Sequence, residues 1–261
     1  MKYFEFGKDN KEIMVLLHGG GVSYKGAIPT AEILSRKYHV ILVAYDGFNP
    51  SEPETEFQSV MDEAKRLGDY VLAHYGGKID ILYGVSYGCR ILCEVIQDKR
   101  LTITTTIADG FSTHGYPNIK SEWGKDLYCF FFTGFFYCIM GRAGKRRKKF
   151  LAKITGRTYE EAERLVYTNA TWKSWRNQDR CLIGRGVNFE AFKNTDMHLW
   201  YGINSSVERR LAKNIQKWQD AGYAFSLKIF KNVGHGGLAG EHPEKFLEEV
   251  TAAHESSLKK G

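Results

Sequence analysis

The sequence predicts an α/β fold: a mostly parallel sheet with helices on both faces, interrupted by one helical insertion. Three observations carry this. Short apolar runs alternate with stretches of helical spacing toward both ends of the chain. The run Ile13-Met14-Val15-Leu16-Leu17 is apolar throughout, as a strand covered on both faces must be. Residues 111–195 then break the alternation with an aromatic, basic and mostly helical pattern. The expected organisation is therefore a core built from residues 1–110 and 196–261, with residues 111–195 as the insertion.

The elements follow in order. After Ile13–Leu17 comes the glycine-rich His18-Gly19-Gly20-Gly21, then a helix expected over Ala27–Tyr38 and a strand over His39–Ala44, closed by Tyr45-Asp46-Gly47. Phe57, Val60, Met61, Ala64, Leu67 and Val71 recur at helical spacing. A strand beginning near Ile79 runs into Gly84-Val85-Ser86-Tyr87-Gly88 and straight on into a helical pattern. The β-branched stretch Thr102–Ala108 reads as a strand ending at Asp109-Gly110. Beyond the insertion, a strand is expected over Met197–Tyr201, a helix from about Ser206 to Asp220, a strand over Phe225–Phe230 and a last helix opened by Pro243.

Composition sets bounds. A chain of 261 residues suits one α/β domain with an insertion. The start, Met1-Lys2-Tyr3-Phe4-Glu5-Phe6, lacks the pattern of a secretory signal. Five cysteines (Cys89, Cys93, Cys129, Cys138, Cys181) lack paired metal spacing, so reduced thiols in a cytoplasm are expected. Cys89 and Cys93, four apart, read as helix packing. The net charge of +7 is concentrated in Arg142–Lys149, where six of eight residues are basic. Such a run is most simply a solvated face, so nucleic acid is not an expected partner. Gly19-Gly20-Gly21 has neither dinucleotide-binding spacing nor a phosphate-loop lysine, and no cofactor or metal is expected.

The chemistry starts at Ser86. A strand passing into a helix through a turn this tight leaves no room for side chains at Gly84 and Gly88, and it holds the Ser86 hydroxyl on an exposed corner. A serine hydroxyl needs a base to take its proton. His235, in Asn232-Val233-Gly234-His235-Gly236-Gly237 after the Phe225–Phe230 strand, is the candidate. An oxyanion needs N–H donors, and Gly20 or Gly21 together with the amide of Tyr87 are the candidates. His18 is expected to support that loop rather than take part in chemistry. Asp46 reads as a turn residue, and His114 could line a pocket at the start of the insertion.

His18-Gly19-Gly20-Gly21, Gly84-Val85-Ser86-Tyr87-Gly88 and Gly234-His235-Gly236, in that order, resemble the α/β-hydrolase superfamily over nearly the whole chain. The resemblance implies a serine hydrolase or esterase, with residues 111–195 in the position of a lid. It also implies a third group, an acid just after the Met197–Tyr201 strand, about three residues past Gly202. Ser205 stands there instead. Asp109 is the expected substitute, because some lipases of the superfamily take their acid from the end of that strand. Glu208 is the other candidate, although Ser205-Ser206-Val207-Glu208 also has capping-box spacing. Asp196 would lie at the wrong end of the sheet.

The expected function is hydrolysis of a carboxylic ester or related acyl compound with an apolar portion. The alternative is a binding or regulatory protein that keeps the fold without turnover, motivated by Ser205. Three readings stay open for the apolar stretch Leu127–Met140: a buried helix packing the insertion onto the core, aromatic walls of an acyl pocket, or, with the basic run, a weak contact with an anionic membrane surface.

Overall fold

The computed structural model describes residues 1–112, 119–138, 149–150, 152–153, 158–160, 170–183, 188–220 and 222–260. His114 and residues 142–148 of the basic run lie outside them.

Seven strands form one sheet: β1 (Lys2–Phe6), β2 (Ile13–Leu17), β3 (His39–Ala44), β4 (Lys78–Val85), β5 (Thr102–Asp109), β6 (Asp196–Gly202) and β7 (Ser226–Phe230). Their spatial order is β1-β3-β2-β4-β5-β6-β7. β1 runs antiparallel to β3, and every other neighbouring pair is parallel. The mostly parallel sheet is thus as expected, while β1 is a strand that its half-polar sequence does not announce. It is an edge strand, only partly buried along its length, so it needs no continuous apolar run.

The uniform apolar runs divide by period two between the faces. Ile13, Val15 and Leu17 enter one buried cluster with Ile41, Val43 and Leu82, and Met14 and Leu16 enter the other with Val40, Leu42 and Ile81. Burial on both faces needs helices on both sides. These are α1 (Ile28–Leu34), α2 (Val60–Tyr75), α3 (Gly88–Val95), α4 (Glu122–Phe136), α5 (Trp172–Arg180), α6 (Ser206–Asp220), α7 (Gly237–Glu241) and α8 (Pro243–Leu258). The helix expected over Ala27–Tyr38 is shorter at both ends. A 3-10 turn (Tyr24–Ala27) precedes it, and the chain leaves the helix after Leu34 to bury Tyr38 against α8, where its hydroxyl meets Thr251 Oγ1 at 2.9 Å.

Asp46, expected as a turn residue, is ion-paired with the Met1 ammonium and with Arg66. Asp196 opens β6, where it accepts from the Ser257 hydroxyl at 2.8 Å and from Lys260 Nζ at 2.9 Å. Cys89 is fully buried and Cys93 half-buried on α3. Among the described residues no helix is long and apolar enough to cross a membrane.

Helices α4 and α5 both lie between β5 and β6 in the chain and pack on each other. Arg176 and Arg180 of α5 pair with Asp126 of α4. Trp175 of α5 sits edge-on to Phe48 at 5.5 Å, and the Ser174 hydroxyl accepts from the Phe57 amide at 3.1 Å, which ties α5 to the sheet domain. Beside Trp175, burial pushes the Asp179 carboxyl up to about 7, and its Oδ2 has no hydrogen-bond partner among the described residues. From about pH 4 to about 7 the native state holds a proton that the unfolded chain releases, so this group lowers stability as pH rises through that window. Asp179→Asn is therefore expected to stabilise the fold above pH 7, by on the order of 2 kcal/mol, and to change little near pH 4. Urea unfolding at the two pH values measures it, and equal effects at both would contradict the assignment.

Candidate active site

The turn after β4 has the geometry the motif requires. Ser86 has φ 55°, a left-handed conformation that costs a non-glycine residue about 1–2 kcal/mol. The strain is held by the backbone on both sides: the Ser86 N–H donates to Asp109 O at 2.8 Å, and the N–H of Cys89 donates to Ser86 O at 3.1 Å. A Cβ at Gly84 would stand 2.9 Å from Gly88 O, and one at Gly88 would stand 2.8 Å from His18 O, so neither position admits a side chain.

The glycine loop after β2 lies directly against this corner. A Cβ at Gly19 would touch Ser86 Cβ at 3.5 Å, and one at Gly20 would come within 3.1 Å of Tyr87 Cβ. Gly21 has φ +66°. Among the described residues, the backbone N–H groups of Gly20 and Tyr87 have no acceptor. His18 braces the loop from beneath. Its ring stacks at 3.9 Å on Tyr45, whose hydroxyl donates to His18 O at 3.0 Å. Burial drives the His18 imidazole down to about 4, so it is neutral. Its Nδ1 stands 2.8 Å from Gly19 O, an atom that can only accept, and the proton therefore sits on Nδ1.

His235 follows β7 and Asn232, which has φ 62°. Its loop is drawn onto the end of β6: the Asn204 amide donates to Val233 O at 2.9 Å, and a Cβ at Gly202 would stand 2.7 Å from that oxygen. His235 Nδ1 is hydrogen-bonded to Glu208 Oε1. Glu208 Oε2 accepts from the Gly202 amide, and the carboxylate is fully buried while the imidazole stays 22% exposed. Both carboxylate oxygens are thus engaged, which fixes the imidazole's orientation.

Asp109 is the acid expected ahead of Glu208 from sequence, and the geometry reverses that order. Asp109 is buried at the end of β5, where its Oδ2 accepts from the Tyr83 hydroxyl at 2.7 Å. The capping signature at Ser205–Glu208 is only half formed. The Glu208 amide donates to Ser205 Oγ at 3.5 Å, but the Ser205 amide donates to Gly202 O at 3.2 Å, so the Glu208 carboxylate is not returned to it. That releases the side chain toward His235.

Two contributors were not singled out from sequence. Gly110 has φ +66°, and a Cβ there would stand 2.5 Å from Glu208 Oε1 and 2.6 Å from His235 Cε1. Asp-Gly reads as an ordinary turn, which hides this. Gln178 of α5 is the other. Its side-chain amide nitrogen lies 2.9 Å from the place a Gly20 Cβ would take, and its backbone carbonyl accepts from the Tyr87 hydroxyl at 3.0 Å. No local pattern marks it, because it reaches the site from the insertion.

Gly110→Ala is expected to part the Glu208–His235 pair. A downfield proton resonance for His235 Nδ1–H in the parent should vanish in Gly110→Ala and in Glu208→Gln, and persist in Asp109→Asn. Its survival in Glu208→Gln would contradict the pairing.

The model of the alpha/beta hydrolase family matches residues 14–249 of this chain. No protein of curated function is similar enough to match. Among solved structures, a carboxylesterase of Nitrososphaera gargenis is 15% identical with a TM-score of 0.70, covering 100% of this chain and 96% of its own. MenH of S. aureus is 15% identical with a TM-score of 0.69, covering 98% of each chain. The esterase RhEst1 of Rhodococcus sp. ECU1013 is 18% identical with a TM-score of 0.67, covering 97% of this chain and 94% of its own. At these identities the likeness is one of fold.

Proposed function

This chain belongs to the alpha/beta hydrolase family, and on that premise we propose that it is a serine hydrolase acting on a carboxylic ester or related acyl compound. The observation that carries the reading is the hydrogen bond from His235 Nδ1 to buried Glu208. It holds the imidazole in the tautomer whose Nε2 can accept a proton. The ring rests beside Gly110, next to Asp109, whose carbonyl takes the Ser86 N–H. This neighbourhood supports His235 as the base for Ser86.

In this mechanism Ser86 Oγ attacks the substrate carbonyl while His235 Nε2 takes its proton. Glu208 stabilises the imidazolium that forms. The amides of Tyr87 and of Gly20 or Gly21 donate to the oxyanion, and donors fixed beforehand in this way remove reorganisation from the barrier. His235 then returns the proton to the leaving group, and water attacks the acyl-serine through the same base. An apolar acyl or alcohol portion is favoured by the aromatic content of the insertion.

Ser205 at the usual acid position favours a protein without turnover, and the Glu208 carboxylate on His235, three residues on, supports turnover instead.

With p-nitrophenyl esters, Ser86→Ala is expected to abolish turnover. Glu208→Gln should lower kcat by about 10³–10⁴-fold, the scale of losing the tautomer-fixing acid. Asp109→Asn should lower it less than about tenfold, since no proton transfer is routed through that carboxyl. Unchanged turnover in Ser86→Ala would refute the nucleophile, and the reverse ranking of the two acids would refute Glu208.

A further inference from the structure

Helix α5 is anchored to the sheet domain by side chains that leave one neighbour free for another task. Ser174 Oγ accepts from the Phe57 amide at 3.1 Å, Asn177 Nδ2 donates to Phe57 O at 2.9 Å, and Trp175 packs edge-on to Phe48. Gln178, only 4% exposed, faces the glycine loop instead. There it meets both residues whose amides are assigned to the oxyanion. Its side-chain amide crowds the place a Gly20 Cβ would take, with Nε2 at 2.9 Å and Oε1 at 3.1 Å. Its backbone carbonyl accepts from the Tyr87 hydroxyl at 3.0 Å. That same Cβ would stand 3.1 Å from Tyr87 Cβ, so the amide, the Gly20 loop and the Ser86 turn crowd one spot.

The loop needs such a support. Gly19-Gly20-Gly21 has no side chain with which to hold its own amides, and glycine keeps more backbone freedom than any other residue. Donors to an oxyanion work because they are fixed before the charge develops. A displacement of about 1 Å can cost on the order of 10²-fold in rate. A buried side chain packed over Gly20 restricts the loop and leaves the Gly20 N–H without an acceptor, free for substrate.

We propose that Gln178 is a positioning residue of the oxyanion hole: it pins the Gly20 loop against the Ser86 turn, and the insertion thereby completes the hole. This role rests on Ser86 as the nucleophile. Steady-state hydrolysis of p-nitrophenyl esters by the full chain tests it. Gln178→Ala is expected to lower kcat by about 10–100-fold and to move KM less than about threefold, because the loss falls on the transition state. Gln178→Met keeps the length and the packing and should stay within about threefold of the parent. Gln178→Glu keeps the shape but sets a carboxylate beside the developing charge. Its kcat relative to the parent should rise at least about fivefold as pH falls from about 9 to about 6 and that carboxylate takes up a proton. In a Gly20→Ala background, whose methyl already displaces the amide, Gln178→Ala should cost less than about threefold. None of the bonds from Ser174, Asn177 and Tyr87 uses the Gln178 side chain, so each variant should fold, which its thermal unfolding midpoint checks. Unchanged kcat in Gln178→Ala, a loss carried by KM, a Gln178→Met variant as slow as Gln178→Ala, a flat pH ratio for Gln178→Glu, or losses that multiply in the double variant would overturn the role of Gln178 and leave Ser86 untouched. A parent without turnover, or turnover kept in Ser86→Ala, would overturn the nucleophile and this role with it.

Discussion

The carboxylate of Glu208, buried between the Gly202 amide and the His235 imidazole, is the interaction on which the site depends. It joins the first turn of α6, which follows β6, to the histidine loop that follows the neighbouring parallel strand β7. Two glycines make room for it. Gly202 lets the histidine loop close on the end of β6, and Gly110 leaves the space the carboxylate–imidazole pair fills. A carboxylate with no exposed surface is costly unless its oxygens are paired, so the bond to His235 is at once a condition of burial and a device for aiming the ring.

The same sheet organises the other half of the site. β2 and β4 are adjacent and parallel, so the glycine loop after one and the Ser86 turn after the other emerge side by side. The turn is strained, and the strain is held by a bond to the end of β5 and by the absence of side chains at Gly84 and Gly88. The Ser86 turn, the Gly20 loop and the His235 loop thus follow the carboxyl ends of β4, β2 and β7 in one sheet, and neutral His18 braces the Gly20 loop from beneath.

What could be read from sequence was whatever depends on neighbours in the chain. The Gly84–Gly88 turn is specified by its own five residues and the strand before it, and β2, β3, β4 and β5 declare themselves by apolar or β-branched runs. β1 did not, because its place is fixed by register against β3 rather than by its own composition. The acid was ambiguous for a related reason. Ser205 and Glu208 have the spacing of a capping box, and only the tertiary approach of His235 decides where the carboxylate goes. In α4 the apolar content left burial, a pocket wall and a membrane-surface contact all open, because a helix has two sides and sequence does not say which one a neighbour covers. Gln178 left no trace at all, since its role depends on how α5 docks over the Gly20 loop.

Ser86, His235 and the amides of Gly20 and Tyr87 are proposed to converge on one reacting carbonyl. A crystal structure of the protein treated with an alkyl fluorophosphonate tests it most directly. The account predicts phosphorus bonded to Ser86 Oγ, its oxygen within hydrogen-bonding distance of the Tyr87 and Gly20 or Gly21 amides, and His235 Nε2 facing the ester oxygen. An adduct at another residue, or a Ser86 adduct whose oxygen points away from those amides, would contradict it.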